Sequence, residues 1–460
     1  MRDERETTQD ARDLPAPRRA LRLGIALSLV LACAAPLAGF SLFFPFVDNI
    51  PKWDQWSLIE VWEAHYQGQP VLPLLLKPYN GHLNVLPRFI FYGLGLLTHW
   101  NLRAEVLLSY ILALGTAATL LLMLRDSNEK LLLMAAPVAA AVFSLNQFEN
   151  FLSGYPMGQI LSQLGVTLTV FALTRPRLTA RHAVAGAAAA AVATFSWGAG
   201  LVSWPIGVLA LAFRREGRRM LIPWCGLTLA ALLTVKHGAG PVGQMGFRAL
   251  LDFDTAFFLA MLGRPMGYRA FPTYSTAVGL GLFLVVAFVL VLDQALRSRR
   301  GLPALRWGLL GLSSLLAAVM ITLARAKSGP DQALISHYCT AAYPLVVAVL
   351  VLACQELLAW QELLAWRGTA RSGLQRAAAV LLVAALLVLP LAVVYAQSKE
   401  TYQILWSWEQ ASRVHDRKLL AGTITEAEIH SSLYPDERLV RRGLALLRER
   451  RLAVFAGAPR

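Results

Sequence analysis

Two carboxylates, Asp48 and Asp54, follow directly on a long apolar run in FFPFVDNIPKWDQWSLIEVWEAHYQG, residues 43–68, and stand among Trp53, Trp56 and Trp62 with Gln55 beside them. A carboxylate held against a hydroxyl can accept its proton, whereas a carboxylate at a membrane interface can simply be hydrated with tryptophans forming an aromatic belt. The same stretch continues into KPYNGHLNVLPR, which adds Lys77, Tyr79, Asn80, His82, Asn84 and Arg88. So many hydrogen-bonding groups are costly unless they face water or a ligand, so the loop reads as the wall of a polar cavity. His82 alone fits a structural hydrogen-bond partner as well as a ligand-binding group.

A second set lies in ARAKSGPDQALISHY, residues 324–338, where Arg325 and Lys327 leave one apolar run and His337 and Tyr338 enter the next. Gly329-Pro330 allows a sharp turn between them. A guanidinium grips anionic oxygens through two parallel hydrogen bonds, and the alternative is that Arg325 and Lys327 anchor a helix end among lipid headgroups. In NQFENFLSGYPMGQ, residues 146–159, Glu149 and Asn150 either line the pocket or serve the end of the following helix. Arg264 and Arg269 flank PMGY and suit either an anion or headgroup contact. No two His or acidic residues show metal-ligand spacing, so no metal and no cofactor is expected.

The elements that must hold these groups are membrane helices. Of 460 residues, 56% are hydrophobic and 15% charged, and the mean hydropathy is +0.51. These values lie outside the soluble globular range. The net charge of +15 comes from Arg clusters set between apolar runs, which fits topology-fixing charge rather than nucleic-acid binding. The four cysteines, Cys33, Cys225, Cys339 and Cys354, fall in or beside apolar runs and form no framework.

Apolar helical runs near 21–46, 104–124, 131–146, 158–173, 183–196, 199–213, 219–236, 273–292, 305–324, 339–358 and 376–396 make an all-α polytopic fold of about eleven spans. Placing RDSNEK, RPRLTAR, RREGRR, DQALRSRRGLPALR and RGTARSGLQR inside puts the N-terminus in the cytoplasm and the C-terminus outside. This orientation makes residues 85–97 a helix along the outer interface, since counting it as a span would invert the clusters that follow. The expected organisation is a cytoplasmic tail over 1–20, a membrane domain over 21–396 with its first outer loop at 46–103, and an extracytoplasmic helical tail over 397–460.

The segments VDNIPKWDQW, NGHLNVLPR, NQFENFLSGY and SHYCTAAYP, in that order, resemble bacterial multispan proteins grouped near the membrane-embedded glycosyltransferases of the GT-C fold. Those enzymes include protein O-mannosyltransferases and lipid A aminoarabinose transferases. The resemblance covers approximately residues 43–125 in order of features and the span plan in outline. Gly81 and Leu83 depart from the pattern, which carries an acidic and a basic residue there.

The resemblance implies sugar transfer from a polyprenyl-phosphate donor to an envelope glycan, lipid or protein at the outer face of a bacterial cytoplasmic membrane. It also implies a first-loop acid as general base. Asp54 is the preferred base and Asp48 the runner-up. Trp53, Gln55, Trp56, His82, Arg88, Glu149, Asn150, Arg325, Lys327, His337 and Tyr338 are expected to bind substrate. A lipid-linked saccharide transporter or a catalytically silent scaffold are the alternatives. A single outward pocket joining Asp54, Glu149 and Arg325 favours transfer, and a midplane cavity favours transport.

Overall fold

The structure, a computed structural model, describes residues 16–78, 83–238, 252–267, 272–298, 301–367 and 372–456. Among these residues there is no strand. In hydrocarbon every backbone N–H and C=O must be satisfied within its own segment, and the apolar runs answer by forming helices.

The apolar runs are largely helical, though 131–146 and 199–213 are each broken into shorter helical pieces. The chain begins with α1 (Ala16–Phe43) and passes through the first loop, which carries three short helices, α2 (Ile59–Tyr66), α3 (Leu72–Leu76) and α4 (Val85–Thr98). It then enters α5 (Leu102–Ser127) and α6 (Ala135–Val142), followed by the short α7 (Glu149–Leu152). The bundle continues with α8 (Met157–Leu173), α9 (Ala180–Ser196), α10 (Ser203–Ala212) and α11 (Arg218–Gly238). The remaining helices are α12 (Thr255–Gly263), α13 (Tyr274–Arg297), α14 (Leu302–Arg325), α15 (Cys339–Arg367), α16 (Ser372–Ala421), α17 (Glu426–Ser432) and α18 (Glu437–Arg450). Among the described residues, eight segments are long and apolar enough to cross a bilayer, fewer than the eleven runs read from the sequence, and α8 and α9 have 17 residues each. The chain is an all-α, multi-pass membrane protein.

Local signals fix the helix starts. Asn101 accepts from the Arg103 N–H at the start of α5, Asp254 from Phe257 at the start of α12, and Asp436 from Leu439 at the start of α18. Each satisfies a donor that the first helical turn leaves open. At the other end of the bundle, the buried Arg306 donates to the Thr174 and Met123 carbonyls (2.7 and 3.0 Å), and Arg214 donates to that of Leu173 (3.0 Å). Two residues from the Arg clusters thus seal the C-terminal ends of α5 and α8.

Helix α4 has 14 residues, about 21 Å of rise, too short to cross a hydrocarbon core of about 30 Å. Helix α16 has 50 residues, about 75 Å, so its C-terminal part projects well past the membrane. That projection meets the first loop. Ile50, Trp56, Ile59, Trp62 and Trp100 share a buried core with Ile429, Leu433, Val440 and Leu447. The Trp53 and Ala453 N–H groups donate to the Leu433 and His99 carbonyls, both at 2.8 Å, and Arg442 pairs with Glu63 at 2.6 Å. The first loop and the C-terminal tail therefore form one unit at one end of the bundle, and α1 puts the N-terminal end at the other.

Candidate functional site

Between that unit and the adjoining ends of the spans lies a cavity of about 1070 Å³. Its first wall starts at the tight helical turn Trp53–Leu58, which carries Asp54 in its first turn, where the helix dipole favours a negative charge. Trp53 and Asp54 face the cavity, while Gln55 and Trp56 point the other way and are buried. Gln55 accepts from the Lys52 N–H at 3.1 Å and donates to Glu105 at 2.9 Å. Trp100 donates to the other Glu105 oxygen at 3.1 Å. A Cβ at Gly154 would sit 2.2 Å from Glu105 Oε2, so only glycine leaves room for this buried carboxyl. Trp53 itself has φ +50°, an outlier for a bulky residue that costs about 1–3 kcal/mol, and its N–H is held by Leu433.

Asp48 is committed to Lys52 by an ion pair and accepts from the Ile50 N–H at 3.3 Å. Lys52 also donates to Ser412 at 2.6 Å and lies 3.9 Å from Asp416, both on the projecting part of α16. Burial alone would lower the Lys52 ammonium, but Asp48 and Asp416 outweigh it and hold the pKa above its ordinary value. Glu409, His415 and Asp416 complete this part of the wall.

Another part comes from the segment after α6 and from the turn between α14 and α15. His337 donates its backbone N–H to Glu149 Oε2 at 3.1 Å and places its ring Nδ1 2.9 Å from the same oxygen. Burial pushes the Glu149 carboxyl up, yet these contacts and the charge of Arg264 outweigh it and hold the pKa below the usual carboxylate value. Arg325, at the end of α14, and Tyr338 both line the cavity. Arg88, on α4, donates to the Lys77 carbonyl at 3.1 Å. Tyr155 stands near Asp54 and Arg88, and burial, reinforced by the Asp54 charge, keeps its phenol protonated well above its ordinary pKa.

The cavity thus collects Asp48, Trp53, Asp54, Arg88, Glu149, Arg325, His337 and Tyr338. It lies at the first-loop end of the spans rather than midway along them. Asn150 is buried behind it, donating to the His337 carbonyl at 3.2 Å and to Thr340. Lys327 is exposed and sits 3.4 Å from Asp252. Arg264, read from the sequence as a loop cation facing an anion or headgroups, is fully buried and bonded to Asn146 and the Leu334 carbonyl. His82 and Arg269 lie outside the described residues. Glu105, Tyr155, Glu409 and Asp416 were not singled out in the sequence. The one available signal was an acid in the first turn of an apolar helix for Glu105. Among the described residues, no group of three or more His, Cys, Asp or Glu is arranged to hold a metal ion.

No family model matches the chain, and no curated protein matches it. Among solved structures, the chain is similar to the archaeal oligosaccharyltransferase AglB from Archaeoglobus fulgidus, determined with an inhibitory peptide and a dolichol-phosphate. The TM-score is 0.45 at 14% identity, and the match covers 82% of this chain and 56% of that one, so this chain spans little more than half the length of AglB.

Proposed function

We propose that the protein is a glycosyltransferase that moves a sugar from a polyprenyl-phosphate donor to an envelope glycan, lipid or protein at the outer face of a bacterial cytoplasmic membrane. In this reading the N-terminus is cytoplasmic and the tail extracytoplasmic. The observation that supports it is the gathering of Asp54 with Arg325 and the His337–Glu149 pair in one cavity at the first-loop end of the spans. The arrangement fits a single displacement. The acceptor oxygen forms a bond to the anomeric carbon as the bond from that carbon to the phosphate oxygen breaks, the phosphate leaving with the electron pair. Asp54 takes the acceptor proton, and Arg325 with His337 meets the charge on the phosphate.

Asp54, on the cavity face of the Trp53–Leu58 turn, is the preferred base, and Asp48, whose charge serves Lys52, is the runner-up. Inversion at the anomeric carbon follows, with no covalent intermediate. Mass spectrometry of lipid-linked and surface glycans from a deletion strain, complemented with the wild type or with Asp54→Asn, tests the reading. A lipid-linked sugar should accumulate and a surface glycan should vanish, with rescue by the wild type alone. Unchanged glycans in the deletion strain would discard it.

A further inference from the structure

The cavity wall made by the C-terminal tail differs in chemistry from the wall around Arg325. Trp53 lines the cavity with 56% of its surface open, although its neighbour Trp56 is fully buried. Its left-handed backbone is held by the Leu433 carbonyl, and Ser431, Ser432 and Leu433 line the cavity beside it. The projecting part of α16 adds Glu409, Ser412 and Asp416. This wall therefore offers an aromatic face, hydroxyls and carboxylate oxygens. Among the described residues, the lysine or arginine lining this wall is Lys52, which is committed to Asp48 and to Ser412; His415 lines it as well, and the nearby Arg413 is paired with Glu409 at 2.7 Å.

From these contacts we infer that the tail and the first loop together form the acceptor subsite, and that it takes an uncharged, hydroxyl-rich acceptor, a glycan, laid against Trp53. An aromatic face presents its π surface to the C–H groups of a sugar ring, and serine and carboxylate oxygens satisfy the ring hydroxyls. An anionic lipid headgroup would meet three carboxylates on this wall, Asp48, Glu409 and Asp416, against only two ammonium or guanidinium groups, Lys52 and Arg413, which already pair with them. The inference rests on the transferase reading, because it assigns to the acceptor the wall that neighbours Asp54 and leaves the Arg325 wall to the donor. Holding Trp53 in a disfavoured conformation fixes its ring at the cavity and ties its position to the tail.

Saturation-transfer NMR on the full chain in lipid nanodiscs tests this with neutral oligosaccharides (mannotriose, maltotriose and chitotriose), glycerol 1-phosphate and a short Ser/Thr peptide as probes. At least one oligosaccharide should take up saturation, with the signal about fivefold weaker in Trp53→Ala and retained in Trp53→Phe. Absence of signal from all three oligosaccharides, or a signal unchanged in Trp53→Ala, overturns the inference. Trp53-dependent saturation of glycerol 1-phosphate or of the peptide also overturns it, in favour of a lipid or protein acceptor. A parallel measurement of undecaprenyl phosphate binding to the wild type and Arg325→Ala keeps the two readings apart. Arg325-dependent lipid binding without a sugar signal fails the acceptor inference alone, and the converse fails the donor reading alone.

Discussion

His337 meets one oxygen of Glu149 twice, through its backbone N–H at 3.1 Å and its ring Nδ1 at 2.9 Å. The carboxyl is held below its ordinary pKa, so it is ionised at neutral pH and can only accept, and Nδ1 must carry the proton. The pair therefore sets the imidazole orientation, and His337 enters the cavity with a defined tautomer.

Glu149→Gln replaces that acceptor with an amide that no longer compensates the ring N–H by charge. The contact is half-exposed, and solvent screening reduces the loss to about 1 kcal/mol, so transfer should fall roughly 5–10-fold with expression unchanged. Because the folded pKa is depressed, the pair's contribution to stability is fully present above the unfolded value near 4.5 and is lost as pH falls through the lower folded value. Thermal unfolding between neutral and acidic pH should show this decline in the wild type and a smaller one in Glu149→Gln. Identical pH profiles would remove the pair from the account.

Asp54→Asn keeps size and polarity but cannot take a proton, so transfer should drop by about 10²–10⁴ while donor binding persists. Asp48→Asn should act less severely on turnover, because Asp48 serves Lys52 and, through it, the contact to Ser412 and Asp416. Its main effect should be weaker docking of the tail, seen as faster limited proteolysis after α16. Full activity in Asp54→Asn with loss in Asp48→Asn would reverse the assignment.

Arg325 lies at the C-terminal end of α14 and lines the cavity together with Tyr338. A Lys ammonium cannot reproduce the two parallel hydrogen bonds of a guanidinium, so Arg325→Lys should raise the donor KM about tenfold and Arg325→Ala further. Lys327, which faces outward near Asp252, should tolerate Ala with donor kinetics within about twofold. Equal effects at the two positions would leave only a headgroup-anchoring role for both.

The helices were legible in the sequence because a bilayer leaves few alternatives to a run of about twenty apolar residues. The cavity residues were legible in part, where polar groups cluster at the ends of those runs. Which way each one points was not. Four consecutive residues, Trp53 to Trp56, divide between cavity and core only because Glu105 draws Gln55 inward, and that contact joins positions 50 apart. The tail's share of the site depends on contacts such as Lys52 to Ser412, 360 residues apart, which no local pattern announces. Arg264 looked like a loop cation, yet the backbone and amide groups that satisfy it come from Leu334 and Asn146, far away in the chain.

The shared core of the first loop and the tail makes a topological prediction. Single cysteines placed at Gln67 and at Arg438, in a background without the native thiols, should react with a membrane-impermeant maleimide from the same side, and a cysteine at Arg177 from the other. In the proposed orientation the first two label in intact spheroplasts. Labelling of Gln67 and Arg438 positions from opposite sides would break the tail away from the site.

Gly154 tests the support beneath the first wall. Its missing side chain is where Glu105 sits, with a Cβ there falling 2.2 Å from Oε2 and 2.3 Å from the Glu105 Cβ. Gly154→Ala must push Glu105 aside and break its bonds from Gln55 and Trp100, stranding polar groups in the core at a cost of about 2–4 kcal/mol. Because Gln55 also holds the Lys52 N–H, the displacement should reach Asp54 and lower turnover as well as stability. Gly93→Ala is the control, since a Cβ there has nothing within 4 Å and alanine favours the helix by about 0.5–1 kcal/mol. In detergent, Gly154→Ala should unfold at a clearly lower temperature than the wild type and Gly93→Ala at the same or a slightly higher one. If the two variants melted together, Glu105 would not be the support on which the loop rests.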